Sequence, residues 1–229
     1  EGDGLKLMEE AYAPFNLVPR PAMADAPQMA GWFRKKINTT ADFKGLRMRI
    51  VNLGGKVYAR AGATTVLTPG NEIYAALERG TIDTAEWIGP HYDMQSGLHR
   101  TARYYYYPGW HEPGTTLDFA FNKKAYDALP IDLRRILDHA TAAGQAEHHT
   151  KNAIALHQLR TEFKGKVEVL PLPAPVLRDL RKLATEVVRE ESQKTAMTRK
   201  VHASFTKFQA LLAPWDRVAE GAYHQLVAG

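Results

Sequence analysis

The chain has 229 residues, of which 45% are hydrophobic and 24% are charged, so it has enough apolar residues for a substantial core and is not a disordered protein. It contains no cysteine, which excludes disulfides, thiolate metal sites and cysteine nucleophiles. The formal net charge is +5, but basic and acidic residues are interleaved without a dense basic segment, so no nucleic-acid partner is expected.

The first hundred residues predict strands that alternate with helices. Residues 5–12 are predicted to be the last part of a helix, and an extended segment is predicted at 15–22. Strands are predicted at 46–51, 64–67 and 83–88, and helices at 54–62, 71–80 and 91–101. Asp93 near the start of the last helix is interpreted as a capping and surface residue. Successive β-α-β units favour a mostly parallel sheet.

Four consecutive tyrosines, residues 104–107, predict a strand that is packed on both faces. The alternative is that at least one ring forms a wall of a ligand site, because buried tyrosines usually need a partner for the hydroxyl group. A further strand is predicted at residues 116–122.

The last hundred residues are predicted to be mostly helical. Helices are predicted over 131–161 and 174–212, with a strand at 166–173 between them and an amphipathic segment at 215–227. The helix over 174–212 has an apolar face formed by Leu177, Leu180, Leu183 and Val187. Such a face suits packing against a protein partner, so a homodimer formed through the C-terminal helices is a hypothesis.

Arg49 closes the predicted strand LRMRI and is a candidate for binding an anion. Ligands of open α/β sheets bind beyond the carboxyl ends of the strands, and a guanidinium group matches a carboxylate with two hydrogen bonds. The alternative is a surface arginine, because Arg47 lies on the same face of the strand.

Polar residues also stand where other strands meet loops. Glu86 and Trp87 follow the strand segment DTA, Glu112 lies in PGWHEPG, and Gln28 lies in DAPQMAGW. Carboxylate and amide oxygens are ligands that hard cations such as Na⁺ or Ca²⁺ prefer. The alternatives are ordinary loop residues, or a hydrolase in which Glu86 and Glu112 form an acid/base pair.

The sequence resembles the periplasmic substrate-binding subunits of TRAP transporters, the DctP type, and within them the branch that binds 2-oxo acids. The resemblance covers the whole chain and rests on four segments, namely QMAGWFRKKI, KGLRMRI, ALERGTIDTAEW and YYYYPGWHEPG. Two positions depart from the family pattern: Ala30 stands where glycine is common, and His111 stands in a motif that is otherwise richer in tryptophan. No residue with the chemistry of a ligand is lost by either departure.

The resemblance implies a binding protein and not an enzyme. By resemblance, Arg49 binds the carboxylate of the substrate, and Gln28, Glu86, Glu112 and the backbone carbonyl of Trp87 coordinate a cation, Na⁺ or alternatively Ca²⁺. Gln28, Glu86 and the ring of Trp87 would also contact the substrate. The expected partners are a small carboxylate such as pyruvate and the membrane permease subunits of a TRAP transporter, and the expected location is the periplasm.

The resemblance also implies an α/β fold of the periplasmic-binding-protein type, with two lobes joined by hinge strands and a long spanning helix. Residues 1–85 are expected to belong mainly to the second lobe, and residues 86–125 to cross into the first. Residues 126–229 are expected to form the spanning helix, a strand and the C-terminal helices. The family has a further N-terminal α/β segment, which is expected to precede the residues that match this sequence.

Overall fold

The computed structural model describes residues 2–25, 27–143, 148–219 and 221–223. The helices are α1 (Gly4–Tyr12), α2 (Asn52–Arg60), α3 (Ile73–Glu78), α4 (Pro90–Gln95), α5 (Lys123–Ala128), α6 (Ile131–Ala143), α7 (His148–Thr161), α8 (Ala174–Ser192) and α9 (Ala196–Val218). The strands are β1 (Leu17–Asp25), β2 (Gly31–Phe33), β3 (Arg47–Arg49), β4 (Thr64–Val66), β5 (Thr84–Ala85), β6 (Tyr104–Tyr107), β7 (Thr115–Asn122) and β8 (Glu168–Pro171). In the part of the chain so described, no helix is both long enough and apolar enough to cross a membrane.

The chain divides into two compact units that are interleaved along the sequence. Unit 1 contains Glu1–Arg20, Ala120–Arg134 and Arg189–Gly229, and unit 2 contains Pro21–Phe119 and Arg135–Val188. The predicted assignment of residues 1–85, 86–125 and 126–229 to lobes stays a prediction.

Unit 2 is built on a six-stranded sheet in the order β4-β3-β5-β2-β6-β8. β3 is parallel to both β4 and β5, and β6 is parallel to β8, so the prediction of a mostly parallel sheet is confirmed. The strand β2 runs antiparallel to both of its neighbours, β5 and β6. It was not predicted, because a strand of three residues that are all buried is too short to show alternation.

The two faces of this sheet carry separate apolar clusters. On one face, the rings of Trp32 and Tyr105 stack with centroids 3.9 Å apart; on the other, the ring of Phe33 meets that of Tyr106 edge-on at 5.3 Å. Helices α3 and α7 contribute to the Trp32 cluster, whereas α2 and α8 contribute to the Phe33 cluster. The prediction that the tyrosine strand is packed on both faces is therefore confirmed.

The prediction of one continuous helix over residues 174–212 is wrong. The segment consists of α8, which ends at Ser192, and α9, which begins after Thr195. The side chains of Thr195 and Thr198 exchange hydrogen bonds with each other's backbone N–H groups, and this capping box starts a new helix. α9 then continues through Pro214 to Val218, across the predicted start of the segment 215–227. Residues 220 and 224–227 of that segment lie outside the described residues.

The apolar face of α8 does not form a partner surface. Leu180 is fully buried and Val187 is 1% exposed, while Leu177 and Leu183 pack against the same core cluster as Phe33. The interpretation of this face as a docking surface is therefore wrong, because the sheet of the same chain covers it.

The helix predicted over 131–161 is described in two parts, as α6 and α7, and residues 144–147 lie outside the described residues. Another predicted helix differs from the structure. The segment 91–101 forms α4 and a short 3-10 turn at Leu98–Arg100, separated by Gly97. Gly97 has a φ of +75°, a conformation that ends a regular helix.

Unit 1 contains helices α1, α5 and α9. Arg20 forms an ion pair with Glu9 at 2.8 Å, and its guanidinium group lies 5.2 Å from the ring centroid of Tyr126. Lys200 of α9 pairs with Glu10 of α1 at 2.5 Å. Within unit 1, these contacts join α1 to α9 directly and to α5 through Arg20.

Gly31 at the start of β2 is expected to tolerate no side chain. Its φ is +125°, and a Cβ atom would lie 2.7 Å from the carbonyl oxygen of Ala85 on the neighbouring strand. We therefore expect Gly31→Ala to lower the free energy of unfolding by roughly 2–5 kcal/mol, measured by urea denaturation. The matched control is Gly45→Ala, because Gly45 also has a positive φ, +76°, but no atom within 4 Å of its Cβ position. The control should cost about 1–2 kcal/mol, and equal losses for both variants would contradict the proposed clash.

Candidate functional site

The parallel pairing of β3 and β5 brings Arg49 and Glu86 together. Arg49 lies opposite Ala85 in the register, so Glu86 follows one residue later at the same edge of the sheet. Nη1 of Arg49 lies 3.0 Å from Oε2 of Glu86 and also donates a hydrogen bond to the backbone oxygen of Glu86. Nε of Arg49 donates to the backbone oxygen of Thr68 at 3.3 Å. The two residues are 5% and 1% exposed, so this is a buried ion pair.

Arg49 retains hydrogen-bonding capacity for a ligand. Among the described residues, no hydrogen bond joins its second terminal nitrogen, Nη2, to another group. Burial lowers the pKa of Arg49, while the negative charges of Glu86 and Asp93 act in the opposite direction. The guanidinium group stays charged at neutral pH, because the ordinary pKa of arginine is far above 7.

The half-buried ring of Trp87 lies beside Arg49. The guanidinium carbon of Arg49 is 5.1 Å from the centroid of this ring, within the range of a cation–π contact. A Cβ atom on Gly70 would lie 2.4 Å from the ring, so a glycine at this position leaves room for the indole. The ring therefore restricts the orientation of the guanidinium group.

The antiparallel strand β2 brings Gln28 to the same edge of the sheet. Because β2 runs opposite to β5 and β6, the residues before β2 meet those that follow β5 and β6. The N–H of Gln28 donates to the backbone oxygen of Glu112 at 3.2 Å, and the N–H of Gly109 donates to the backbone oxygen of Gln28 at 2.9 Å. A Cβ atom on Gly109 would lie 2.2 Å from that oxygen, so this close approach requires glycine.

The side chains of Gln28 and Glu112 are linked by Thr115, a residue that the sequence analysis did not single out. Nε2 of Gln28 donates to Oγ1 of Thr115 at 3.4 Å, and Oγ1 of Thr115 donates to Oε1 of Glu112. Oε1 of Gln28 is buried and has no hydrogen-bond partner among the described residues. A buried acceptor without a partner is costly, and a bound cation would satisfy it.

The donor set at this edge suits a cation. One ligand atom each from Glu86, His111 and Glu112 lie within 4.8 Å of one another, a span that a single ion bridges with bonds of about 2.0–2.5 Å. The unpartnered oxygen of Gln28 adds an amide donor. Gln28, Glu86 and Glu112 therefore fit a hard cation by their chemistry. Coordination by these residues and by the backbone carbonyl of Trp87 stays a prediction.

Asp93 is a buried residue that the sequence analysis interpreted wrongly as a surface residue. It is 1% exposed, and its carboxylate accepts hydrogen bonds from Nε1 of Trp32 and the hydroxyl of Tyr105, both at 2.8 Å, and from the N–H of Ile88 at 3.1 Å. Burial raises its pKa to about 7, although the three hydrogen bonds act in the opposite direction. Asp93 thus joins β2, β6 and the segment after Trp87. No local pattern distinguishes it from a helix-capping aspartate.

The comparisons with known proteins agree on one family. Residues 22–195 match the DctP family of bacterial extracellular solute-binding proteins, family 7. The chain is 37% identical over 232 residues to the monocarboxylate 2-oxoacid-binding periplasmic protein of Nostoc sp. strain PCC 7120, covering all of this chain and 63% of that protein. It thus spans less than two thirds of the length of this relative.

Solved structures with the same fold carry bound pyruvate. A TRAP periplasmic solute-binding protein from Pseudoalteromonas atlantica T6c with bound sodium and pyruvate is 39% identical, with a TM-score of 0.91, covering 98% of this chain and 69% of that one. Another, from Colwellia psychrerythraea with bound calcium and pyruvate, is 36% identical, with a TM-score of 0.92 and the same coverage. The predicted α/β fold of the periplasmic-binding-protein type is confirmed by these similarities.

Proposed function

The chain belongs to the DctP family of bacterial extracellular solute-binding proteins, as its motifs indicated, and from this premise we propose that it captures a small 2-oxo acid such as pyruvate. A bound cation, Na⁺ or alternatively Ca²⁺, takes part in binding. The loaded protein acts in the periplasm and delivers its ligand to the membrane permease subunits of a TRAP transporter. The predicted arrangement in two lobes that close around the ligand belongs to this proposal.

One observation carries the proposal: Arg49, Glu86, Gln28 and Glu112 meet at one edge of the sheet in unit 2. This edge lies at the carboxyl ends of β3 and β5, where open α/β sheets bind ligands. The relatives from P. atlantica and C. psychrerythraea, which bind pyruvate with sodium and calcium, support the same ligand class.

In this proposal, each side chain has a defined role. Nη2 of Arg49 donates to a carboxylate oxygen of the substrate, and the Trp87 ring holds the guanidinium group in place and packs against the substrate. Gln28, Glu86, Glu112 and the carbonyl of Trp87 hold the cation, with Gln28 and Glu86 also near the substrate. The cation would offset the charge of the substrate and polarise its oxygens.

The hydrolase alternative with Glu86 and Glu112 has less support. The family consists of solute-binding proteins, and Glu86 is held by Arg49 in a buried ion pair.

Calorimetric titration of the protein with pyruvate tests the proposed function. We expect saturable binding in buffers containing Na⁺ or Ca²⁺, and an affinity at least about tenfold lower after chelation and exchange into choline chloride, because the substrate carboxylate then loses its counter-ion. Acetate, which has no 2-oxo oxygen, serves as the control ligand and should bind more weakly. Absence of pyruvate binding in every cation, or conversion of the added pyruvate into another compound by the protein, would overturn the proposal.

We also propose a homodimer through the C-terminal helix α9. Its exposed apolar side chains recur at spacings of three and four residues, as in the seam of a coiled coil: Val201, Phe205, Phe208, Leu212 and Trp215. Phe205 is 62% exposed and Trp215 is 69% exposed, so these two side chains of the seam are largely uncovered by the described residues. A second copy of the same helix offers the matching seam.

Sedimentation equilibrium tests the homodimer. We expect a dimer at micromolar concentration and a monomer for the double variant Phe205→Glu/Trp215→Glu, because charges in the seam would be buried without partners. The control is Val188→Glu, since Val188 is also partly exposed, at 38%, but belongs to α8 and is not a residue of the seam. A monomeric wild-type protein at all concentrations would exclude this dimer.

A further inference from the structure

His111 is a buried histidine that the proposed function does not use. Its side chain is 5% exposed, and neither Nδ1 nor Nε2 has a hydrogen-bond partner among the described residues. A neutral imidazole has one donor and one acceptor, and leaving both unsatisfied away from water costs free energy. A buried imidazole without hydrogen-bond partners therefore indicates a site for a ligand.

The position of His111 is set by a turn that is anchored on both sides. The N–H of Glu112 donates to the backbone oxygen of Gly109 at 3.1 Å, which closes the turn. Nε1 of the preceding Trp110 donates to the hydroxyl of the buried Tyr58 at 3.0 Å. The imidazole therefore sits in a fixed place and does not belong to a loose loop.

The imidazole faces the acidic groups of the cation site. Its Nε2 lies 3.6 Å from Oε1 of Glu86, which is too long for a hydrogen bond. One atom each from Glu86, His111 and Glu112 lie within 4.8 Å of one another, so the ring and both carboxylates border the same small volume. A metal ion between them would satisfy an imidazole nitrogen and both acids at once.

We propose that His111 is a metal ligand, and that it gives this site a preference for a first-row divalent transition ion such as Zn²⁺ over Ca²⁺ or Na⁺. Imidazole nitrogen suits such ions, whereas sites made only of oxygens suit Na⁺ and Ca²⁺. The inference rests on the cation site of the proposed function and concerns its selectivity.

The charges around the site agree with a divalent ion. Glu86 and Glu112 contribute two negative charges and Arg49 contributes one positive charge, so the residues leave one net negative charge. A divalent ion changes this to one net positive charge, which a monocarboxylate ligand neutralises. With a monovalent ion, the loaded site would keep a buried negative charge, which is less favourable.

Metal affinities of the chelator-treated protein, without any organic ligand, test the inference. Competition with a chelating dye gives the Zn²⁺ affinity, calorimetry gives the Ca²⁺ affinity, and the visible spectrum of bound Co²⁺ reports nitrogen coordination. We expect Zn²⁺ to bind at least about 100-fold more tightly than Ca²⁺ in the wild type. His111→Phe should lower the Zn²⁺ affinity by about tenfold or more, alter the Co²⁺ spectrum, and change the Ca²⁺ affinity little.

The matched control is His99→Phe. His99 is also buried, with an unpartnered Nδ1, but it packs against Phe163 at 4.5 Å and is not part of the acidic cluster. This variant should keep the wild-type affinities for all three ions, and both variants are checked for folding by circular dichroism.

Two outcomes overturn the inference: equal Zn²⁺ affinity and Co²⁺ spectrum in the wild type and His111→Phe, or tighter binding of Ca²⁺ than of Zn²⁺ by the wild type. A failure of the proposed function would give a different result, namely no pyruvate binding in the presence of any of the cations. The metal titrations contain no pyruvate, so they test the role of His111 independently.

Discussion

Replacement of Arg49 by alanine is expected to abolish pyruvate binding, with a loss of affinity of at least about 100-fold, or roughly 3 kcal/mol. Arg49 is 5% exposed. Among the described residues its Nη2 makes no hydrogen bond, so this nitrogen can donate to a ligand carboxylate. Without it, the carboxylate would be desolvated beside Glu86 with no opposite charge from the protein. Calorimetric titration with pyruvate in the presence of Ca²⁺ measures the effect.

The control for this variant lies on the same strand. Arg47 has the same strand parity but is exposed, and it pairs with Asp83 at 2.9 Å. Arg47→Ala should therefore leave pyruvate affinity within about twofold of the wild type, because an exposed ion pair contributes little. Arg49→Lys keeps the positive charge and serves as a second variant if Arg49→Ala does not fold. Arg49→Lys should still bind pyruvate more weakly than the wild type, since lysine lacks the planar guanidinium group that can donate two hydrogen bonds to one carboxylate. Unchanged affinity in folded Arg49→Ala would contradict the role of Arg49.

Replacement of Glu86 by glutamine is expected to weaken both the fold and the cation site. The variant leaves the buried Arg49 without its carboxylate partner, which should lower the free energy of unfolding by about 3 kcal/mol. It also removes one of the two carboxylates of the cation cluster, so Ca²⁺ affinity should fall by at least about tenfold. Urea denaturation of the cation-free protein and calorimetry with Ca²⁺ separate the two effects.

The matched control is Glu168→Gln on β8. Glu168 also pairs with an arginine, Arg103, at 2.7 Å, but the two side chains are 32% and 57% exposed. Solvent screens this pair, so its loss should cost less than about 1 kcal/mol and leave Ca²⁺ binding unchanged. Equal destabilisation by Glu86→Gln and Glu168→Gln would show that burial of the Arg49–Glu86 pair has no energetic consequence.

Much of the fold could be predicted because its signals are local. The strand over residues 104–107 was predicted with its observed bounds, since four aromatic residues in a row favour a strand that is covered on both faces. The helix ends at 192–195 and 97 were missed, because a capping box or a glycine in the left-handed region is a weak signal inside a continuous apolar periodicity. The short central strand β2 left no periodic signal at all.

Parts of the candidate site were also predictable from the sequence. Arg49 and Glu86 stand at strand ends in their own motifs, and adjacent parallel strands bring their carboxyl ends to one edge. Thr115 and the burial of Asp93 were not predictable, because their partners Gln28, Trp32 and Tyr105 lie between 12 and 87 residues away in the chain. The binding roles of the site residues stay predictions.

The sequence by itself determined the family, the alternation of strands and helices, and the residue types that could bind a carboxylate ligand together with a cation. These follow from motif identity and from periodicities that are set within a few residues. The tertiary structure alone decided that Gln28 meets Glu112, and that the imidazole of His111 faces Glu86. Both depend on the antiparallel insertion of β2 between β5 and β6, and the pairing of distant strands is fixed by packing of the whole sheet and not by local propensity.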